Sequence, residues 1–498
     1  MKFYSLVILL FTTTIVFGQT QNGAYTAIGK GVATTFLTDY QCLGINTSML
    51  GTGTGYEDKK ATFGTSEMAF SIYSPALTKQ NFINLRTAIT NEVTGNSAEG
   101  FNLAEQKESV ANFAEKGIAM NANYNWFGFA YQGEKFGGIA VQVREKFNWY
   151  SQLNQQTTDI IFRGQFASIF DSLTVAFDGD TTQIANRPGI SEDTLAAAIS
   201  GQISSPILIS ELTDGTKIKQ RWDREWNIGY GRKIFGKPET FALYGGISGR
   251  YIQSVAHFDF ESSNGNVNLY SAMSPSFDID YGAVANSNPS AVMQEASRKI
   301  PELVGNGYGF DLSATVKMAK IFTFGLAINN IGSVTYNKNI YKVRDTLIGS
   351  VSLEGLKDPN VLRSVNRFLD KDGILELEGQ EKLVVPNSAT IRIGGSMEFF
   401  KRINIGVDVV APFNKDNPGS LANPIISAGG DFKLFKWLCL SAGYYGGGVY
   451  KSNVPLGVNF ILRGGAYEFG ISSTDILRFV SDNTHSVSTA FGFARIRF

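Results

Sequence analysis

From Lys217 to Gly231 the chain alternates two kinds of side chain. Ile218, Trp222, Trp226, Ile228 and Tyr230 fall on one face, and Lys217, Lys219, Arg221, Asp223, Glu225 and Asn227 on the other. Successive side chains of a β-strand point to opposite faces, so this reads as one long strand with an apolar and a charged side. Its length matches the ~9–11 residues that a tilted strand needs to cross a bilayer. The pattern recurs in Ile139, Val141, Val143, Phe147 and Trp149 against Gln142, Arg144, Lys146 and Asn148. It returns in Phe322, Phe324, Leu326 and Ile328, in Ile391, Ile393, Met397 and Phe399, and in Ile403, Ile405, Val407 and Val409. A soluble sheet can contain one such strand. Repetition at this length predicts an all-β transmembrane, antiparallel up-and-down β-barrel, its apolar faces in lipid and its mixed faces lining the interior.

The two ends of the chain fit that expectation. The segment Thr489–Phe498 is strand-like and carries Phe491, Phe493 and Phe498. A barrel's last strand must pair with its first so that no edge is left in lipid, and this segment is the expected closing strand. Terminal aromatic strands also resemble the signal read by the outer-membrane barrel assembly machinery. Met1 and Lys2 precede an apolar run from Phe3 to Phe17, which is short of the ~20 residues of a spanning helix. Residues 1–18 are therefore expected to be a signal peptide cut between Gly18 and Gln19, with no cysteine there for a lipid anchor. The expected location is the cell outer membrane, among its lipids.

Composition removes other classes. The sequence has 53 Gly, 37 Phe and 20 Tyr but only 2 His and 2 Cys, which suits interfacial aromatic girdles and crowded lumen faces. Lys plus Arg and Asp plus Glu are equal at 44 each, with no basic block, which argues against a nucleic-acid partner. Cys42 and Cys439 are read as two unpaired residues, a disulfide between them being the alternative.

Asn264 and Gly265 form the two-residue turn favoured in hairpins, which sets Phe260 opposite Leu269 and Glu261 opposite Asn268. Gly446, Gly447 and Gly448 turn the chain back toward Val454–Leu462. Residues 116–498, taken as the barrel, leave room for about 14 strands of ~10 residues with uneven loops. The connections around 155–215, 286–305 and 345–385 are expected to be helical or irregular. Ile160, Ile161, Phe166, Ile169, Phe170 and Leu173 suggest one short apolar helix, and Val292, Ala296 and Ile300 another. Residues 19–115 alternate weakly, and Leu103, Val110 and Phe113 are helically spaced. The region is read as an N-terminal hatch or plug, with Phe63–Tyr73 as a candidate first strand.

The run from Thr38 to Gly51 resembles the N-terminal signature of Bacteroidota outer-membrane barrels related to the FadL-type (OmpP1/FadL/TodX) transporters of hydrophobic compounds. It keeps Asp39, Tyr40, Gln41, Gly44, Ile45, Asn46, Leu50 and Gly51, but has Thr47, Ser48 and Met49 where Pro-Ala-Asn is usual. Trp126–Tyr131, Phe147–Ser151 and Ala327–Gly332 look like the same family, one of unknown function. The resemblance implies a single barrel with a plug, in which Asp39, Gly44, Asn46 and Gly51 form the hatch motif. It also implies passage of hydrophobic small molecules or lipids, or, in one relative of that superfamily, docking for protein secretion.

Several motifs are set aside. Aligning Gly373 to the invariant glycine of a calcium loop puts Phe368 and Gly379 at the terminal ligand positions, so Asp370–Gly373 is read as a solvated turn. His257 and His485 are too few for a three-ligand zinc site, and Gly51–Gly55 lacks the flanking strand and helix of a phosphate loop. No cofactor, no metal and no enzymatic activity are expected. Arg221, Asp223, Glu225, Arg392 and Asp408 are read as lumen lining, either as hydrogen-bonded filling or as a selectivity lining or hatch contact. Two functions remain open: a passive conduit gated by the hatch, and a non-transporting scaffold for an envelope protein partner.

Overall fold

The computed structural model describes residues 23–56, 58–76, 112, 114–177, 180–292, 301–352, 369, 374–448, 450–476 and 485–498. Residues 1–22, with the expected cleavage point between Gly18 and Gln19, lie outside these residues, as do Leu103, Val110, Phe113, Ala296, Ile300 and Asp370–Gly373.

Fourteen antiparallel strands close a barrel. They are β1 (Ala61–Tyr73), β2 (Ile118–Gly133), β3 (Gly137–Gln152), β4 (Lys217–Lys237), β5 (Phe241–Ser263), β6 (Gly305–Met318) and β7 (Phe322–Tyr336). They continue as β8 (Thr390–Phe399), β9 (Ile403–Pro412), β10 (Ile425–Phe435), β11 (Leu438–Gly447), β12 (Leu456–Leu462), β13 (Tyr467–Ser473) and β14 (Ser486–Arg497). Each pairs with the next, and β14 pairs back onto β1 from Thr62↔Arg497 to Tyr73↔Ser486. The last residue completes the seam. Its amide donates to the Ala61 carbonyl at 3.0 Å, and its carbonyl accepts from the amides of Lys60 and Ala61 at 3.0 and 2.9 Å.

The alternation read from the sequence is visible in exposure. Phe324, Leu326, Ile393, Ile405 and Val407 stand on the outside, with Ala327, Arg392 and Asp408 buried inside. An aromatic girdle marks one rim: Phe435, Trp437, Phe460 and Phe469 stack in sequence at centroid distances of 5.4, 6.2 and 4.9 Å. The connections at this rim are short and those at the other are long, the usual contrast between the periplasmic and outer ends of such barrels.

Three expectations are corrected. The barrel begins at Ala61, not at residue 116, so the hatch ends before β1. The candidate strand Phe63–Tyr73 is thus part of the barrel, and its alternation is weak because Ser66, at φ +55, is skipped in the pairing and shifts the phase by one residue. The long connections are also more strand-rich than expected. The helix Gln155–Arg163 holds Ile160 and Ile161, but the strands 172–177, 180–185, 198–208 and 347–351 form a separate four-stranded sheet. Finally, Ile218 and Trp149 do not meet lipid. Both are buried with Ile160, Ile161, Phe170, Phe258 and Tyr341 in an apolar core above the barrel, because β4 and β5 outrun the membrane and carry a folded cap.

The Asn264–Gly265 turn lies in this cap. Its register is Phe260↔Leu269 and Glu261↔Asn268, and both central residues have positive φ, +52 and +72. Gly265→Ala is expected to cost about 1–2 kcal/mol through the left-handed backbone alone, read as a lower denaturant midpoint with unchanged barrel content by circular dichroism.

Candidate functional site: the hatch and its seat

Residues 23–56 enter the lumen as three short helical pieces, Tyr25–Ile28, Tyr40–Cys42 and Thr47–Thr52, joined by loops. They are too short to be stable alone. Their apolar side chains, among them Ala27, Leu37, Tyr40, Leu43, Met49 and Leu50, form a small core of the hatch's own, to which the wall adds only Ala130 and Ala140. Burial in it pushes the Cys42 thiol well above its usual range, so Cys42 is an inert filler. Cys42 and Cys439 are both buried and unpaired.

Toward the wall the hatch is polar. Asp408 on β9 accepts from the amides of Ala33 and Thr34 at 2.7 and 2.9 Å and from the Thr34 hydroxyl at 3.0 Å. Lys30 reaches Asp431 on β10 at 2.5 Å. Asn46 donates to the Thr34 carbonyl and to Thr315 on β6 at 2.8 and 2.9 Å, and its side-chain oxygen accepts from Ser48 at 2.6 Å. Asp39 accepts from the Gln41 amide at 3.1 Å, capping the second helical piece, and from the Arg495 Nε of β14 at 2.9 Å. Gln132 on β2 donates to the carbonyls of Thr38 and Leu50 at 2.7 and 2.9 Å. The hatch touches most of the way round the wall.

Glycine makes this fit possible by close approach. A Cβ on Gly246 would lie 2.2 Å from the Ser48 amide nitrogen, and one on Gly429 2.0 Å from the Lys30 carbonyl oxygen. Within the motif, Gly51 lies flat against Arg232, where a Cβ would meet backbone at 2.7 Å. Gly44 has φ +74 and sits beneath the guanidinium groups of Arg250 and Arg144. Much of the sequence's glycine is thus on inward wall positions facing the hatch.

Beyond the hatch, on the cap side, paired charges line the inner faces of β3 to β6. Glu225 accepts from Arg144 at 2.6 Å and lies 3.3 Å from Lys146 and 3.5 Å from Arg250. Arg250 also pairs with Asp311 at 2.5 Å, and Arg221 with Asp223 at 2.5 Å. All are held on rigid neighbouring strands, β3 to β6, by a register that places Arg144 directly opposite Glu225. Arg392 is buried on β8, two positions from Gly394, whose partner across the ladder is Asp408. The structure thus brings Arg221, Asp223 and Glu225 into one charged stripe and gives Asp408 to the hatch. Sequence reading passed over Glu67, Arg250, Asp311, Glu468 and Arg495. Gly246 and Ser248, small residues on the same strand face as Arg250, were a usable signal of close packing from within.

Among the described residues no group of histidine, cysteine and carboxylate side chains is arranged to hold a metal ion. The cavity between the hatch and the wall is about 20 Å³ and is lined by Ala24, Gln41, Ile45, Glu67, Asn125 and Arg144 among others.

A closed antiparallel barrel with an apolar exterior, short turns at one end and long connections at the other defines a transmembrane β-barrel of the outer-membrane type. Within that class the chain belongs to a family of unknown function, DUF5723, whose model matches residues 62–467. Among solved structures it is similar to the TodX deltaS2S3 mutant monoaromatic hydrocarbon channel, at 10% identity and a TM-score of 0.46, over 95% of this chain and 97% of that one. It is also similar to the Ralstonia pickettii toluene transporter TbuX, at 10% identity and a TM-score of 0.44, over 95% and 97% of the two chains. A Pseudomonas aeruginosa FadL homologue follows at 10% identity and a TM-score of 0.39, over 97% and 99%. No curated protein matches the sequence.

Proposed function

We propose that this protein is a passive, non-enzymatic conduit for hydrophobic small molecules or lipids, with the hatch as its gate. The observation that supports this reading best is a cluster of ladder irregularities in the wall beside the hatch cavity. Ser66 is skipped in the pairing of β1 with both neighbours, falling opposite Trp126 on one side and Phe493 on the other. The ladder of β13 with β14 shifts at Phe469, and that of β2 with β3 at Trp126. These irregularities adjoin one another, and Glu67 and Asn125 line the cavity just inside them. Bulges locally interrupt a ladder and bend its strands, which is what a sideways exit into lipid requires.

This cavity of about 20 Å³ has room for a water molecule and not for a hydrocarbon, so passage here needs the hatch to move. Opening by displacement of the hatch exchanges its polar wall contacts for water at small net cost. Outside these irregularities, Trp126 and Phe127 are exposed toward lipid.

The alternative, a scaffold docking an envelope protein, is favoured by the filled lumen and the folded cap. Its partner would not use Ile160, Ile161 or Phe170, which are buried in the cap core, but the exposed Phe177, Ile199 and Leu347. Native mass spectrometry of the protein extracted from its own membrane in mild detergent separates the two. An apolar ligand of defined mass, absent when residues 40–51 are altered, is the result expected for the conduit. A stoichiometric protein partner with no ligand overturns it in favour of the scaffold.

A further inference from the structure

We propose that the consecutive residues Asp39, Tyr40 and Gln41 are a staple that holds the barrel's seam shut from inside. The seam is the pairing of β1 with β14, the one junction between strands from opposite ends of the chain. Asp39 takes the strand on one side: its carboxylate accepts from Nε and Nη2 of Arg495 on β14. Tyr40 and Gln41 take the strand on the other. The Tyr40 hydroxyl donates to Glu67 of β1 at 2.6 Å, and the Gln41 amide donates to the same oxygen at 2.8 Å.

The chain of contacts extends one strand further each way. Glu468 on β13 accepts from Arg495 at 3.0 Å and from Arg497, and Asn125 on β2 donates to Glu67 at 3.0 Å. Four consecutive strands, β13, β14, β1 and β2, are thus linked through three hatch residues. All of these side chains are buried, where charge-assisted bonds are strongest and least screened.

The staple sits beside a gap in the backbone ladder. Ser66 contributes nothing to the seam, and Phe493 opposite it is likewise passed over. A second contact crosses at the next level: Tyr25 and Ile28 of the hatch pack on Ala69 of β1 and Ala490 of β14. The wall is shaped for both rings. A Cβ on Gly128 would lie 2.1 Å from the Tyr40 ring, and one on Gly492 2.2 Å from the Tyr25 ring. The seated hatch thus braces a seam that the backbone ladder already closes, whatever the barrel conveys.

Hydrogen exchange with mass spectrometry on the full-length protein in micelles tests this. The double variant Asp39→Asn, Gln41→Ala should raise exchange in β1 and β14 at least about tenfold, the change expected from one charge-assisted bond alone, and leave β6–β9 within about twofold. Thr34→Val, which removes a hatch bond to β9 and none to the seam, should leave β1 and β14 unchanged. Should the double variant not fold, Tyr40→Phe removes one of the Glu67 bonds while keeping the ring, and must show the same seam-specific pattern at smaller size. An equal rise in all strands, or no rise in β1 and β14, overturns the staple.

Discussion

Replacing Arg250 with methionine should destabilise the barrel by about 3–5 kcal/mol, because it leaves buried carboxylates short of their cation. One guanidinium serves two partners, with Nη2 on Asp311 at 2.5 and 2.6 Å and Nη1 3.5 Å from Glu225. Glu225 keeps Arg144 and Lys146, so the loss falls mainly on Asp311, which retains the Ser248 hydroxyl at 2.6 Å and the Asn330 amide at 2.7 Å. Urea unfolding in lipid vesicles, followed by tryptophan fluorescence, reads the effect. Arg250→Met combined with Asp311→Leu should recover part of the loss, since the uncompensated carboxylate is gone while the Asn330 amide and Ser248 hydroxyl lose that acceptor. Recovery by Arg250→Lys alone would show that bridging geometry is not what matters there, because a lysine is a point charge without the guanidinium fork.

Gly246→Val should unseat the hatch while leaving the barrel intact. The added Cβ would lie 2.2 Å from the Ser48 nitrogen, 2.5 Å from its Cα and 2.5 Å from the Thr47 carbonyl carbon, all backbone atoms that no rotamer change can clear. The overpacking cost is about 1–3 kcal/mol at least, and the isopropyl group adds to it. Limited proteolysis should then cut within residues 23–56 in the variant and not in the wild type. Gly245→Ala is the control, since its Cβ points to the Ile234 side chain at 3.3 Å and away from the hatch.

The barrel was legible in the sequence because its strands alternate by the same rule wherever one face meets lipid and the other does not. The hairpin at Asn264 and Gly265 was legible down to its register, because a two-residue turn leaves the flanking residues no other pairing. What blurred β1, which showed only as the candidate Phe63–Tyr73, was local: one left-handed residue, Ser66, moves the alternation out of phase halfway along. What hid the cap was the length of β4 and β5. Ile218 and Trp149 follow the lipid-facing pattern past the point where lipid ends, and the pattern alone does not mark that point. The charge partners were hidden for a different reason. Arg495 meets Asp39 across almost the whole chain, and such pairs are set by closure of the barrel, not by anything adjacent in sequence.

The strands also differ greatly in height. β5 has 23 residues and β4 has 21, while β12 and β13 have 7 each. At ~3.4 Å per residue, the difference of 23 − 7 residues is roughly 54 Å measured along the strand. From outside, the molecule presents a palisade on one flank and a low sill on the other. An antibody descending along the membrane normal meets the palisade first, whereas a molecule diffusing within the outer leaflet encounters the sill, immediately beside the seam.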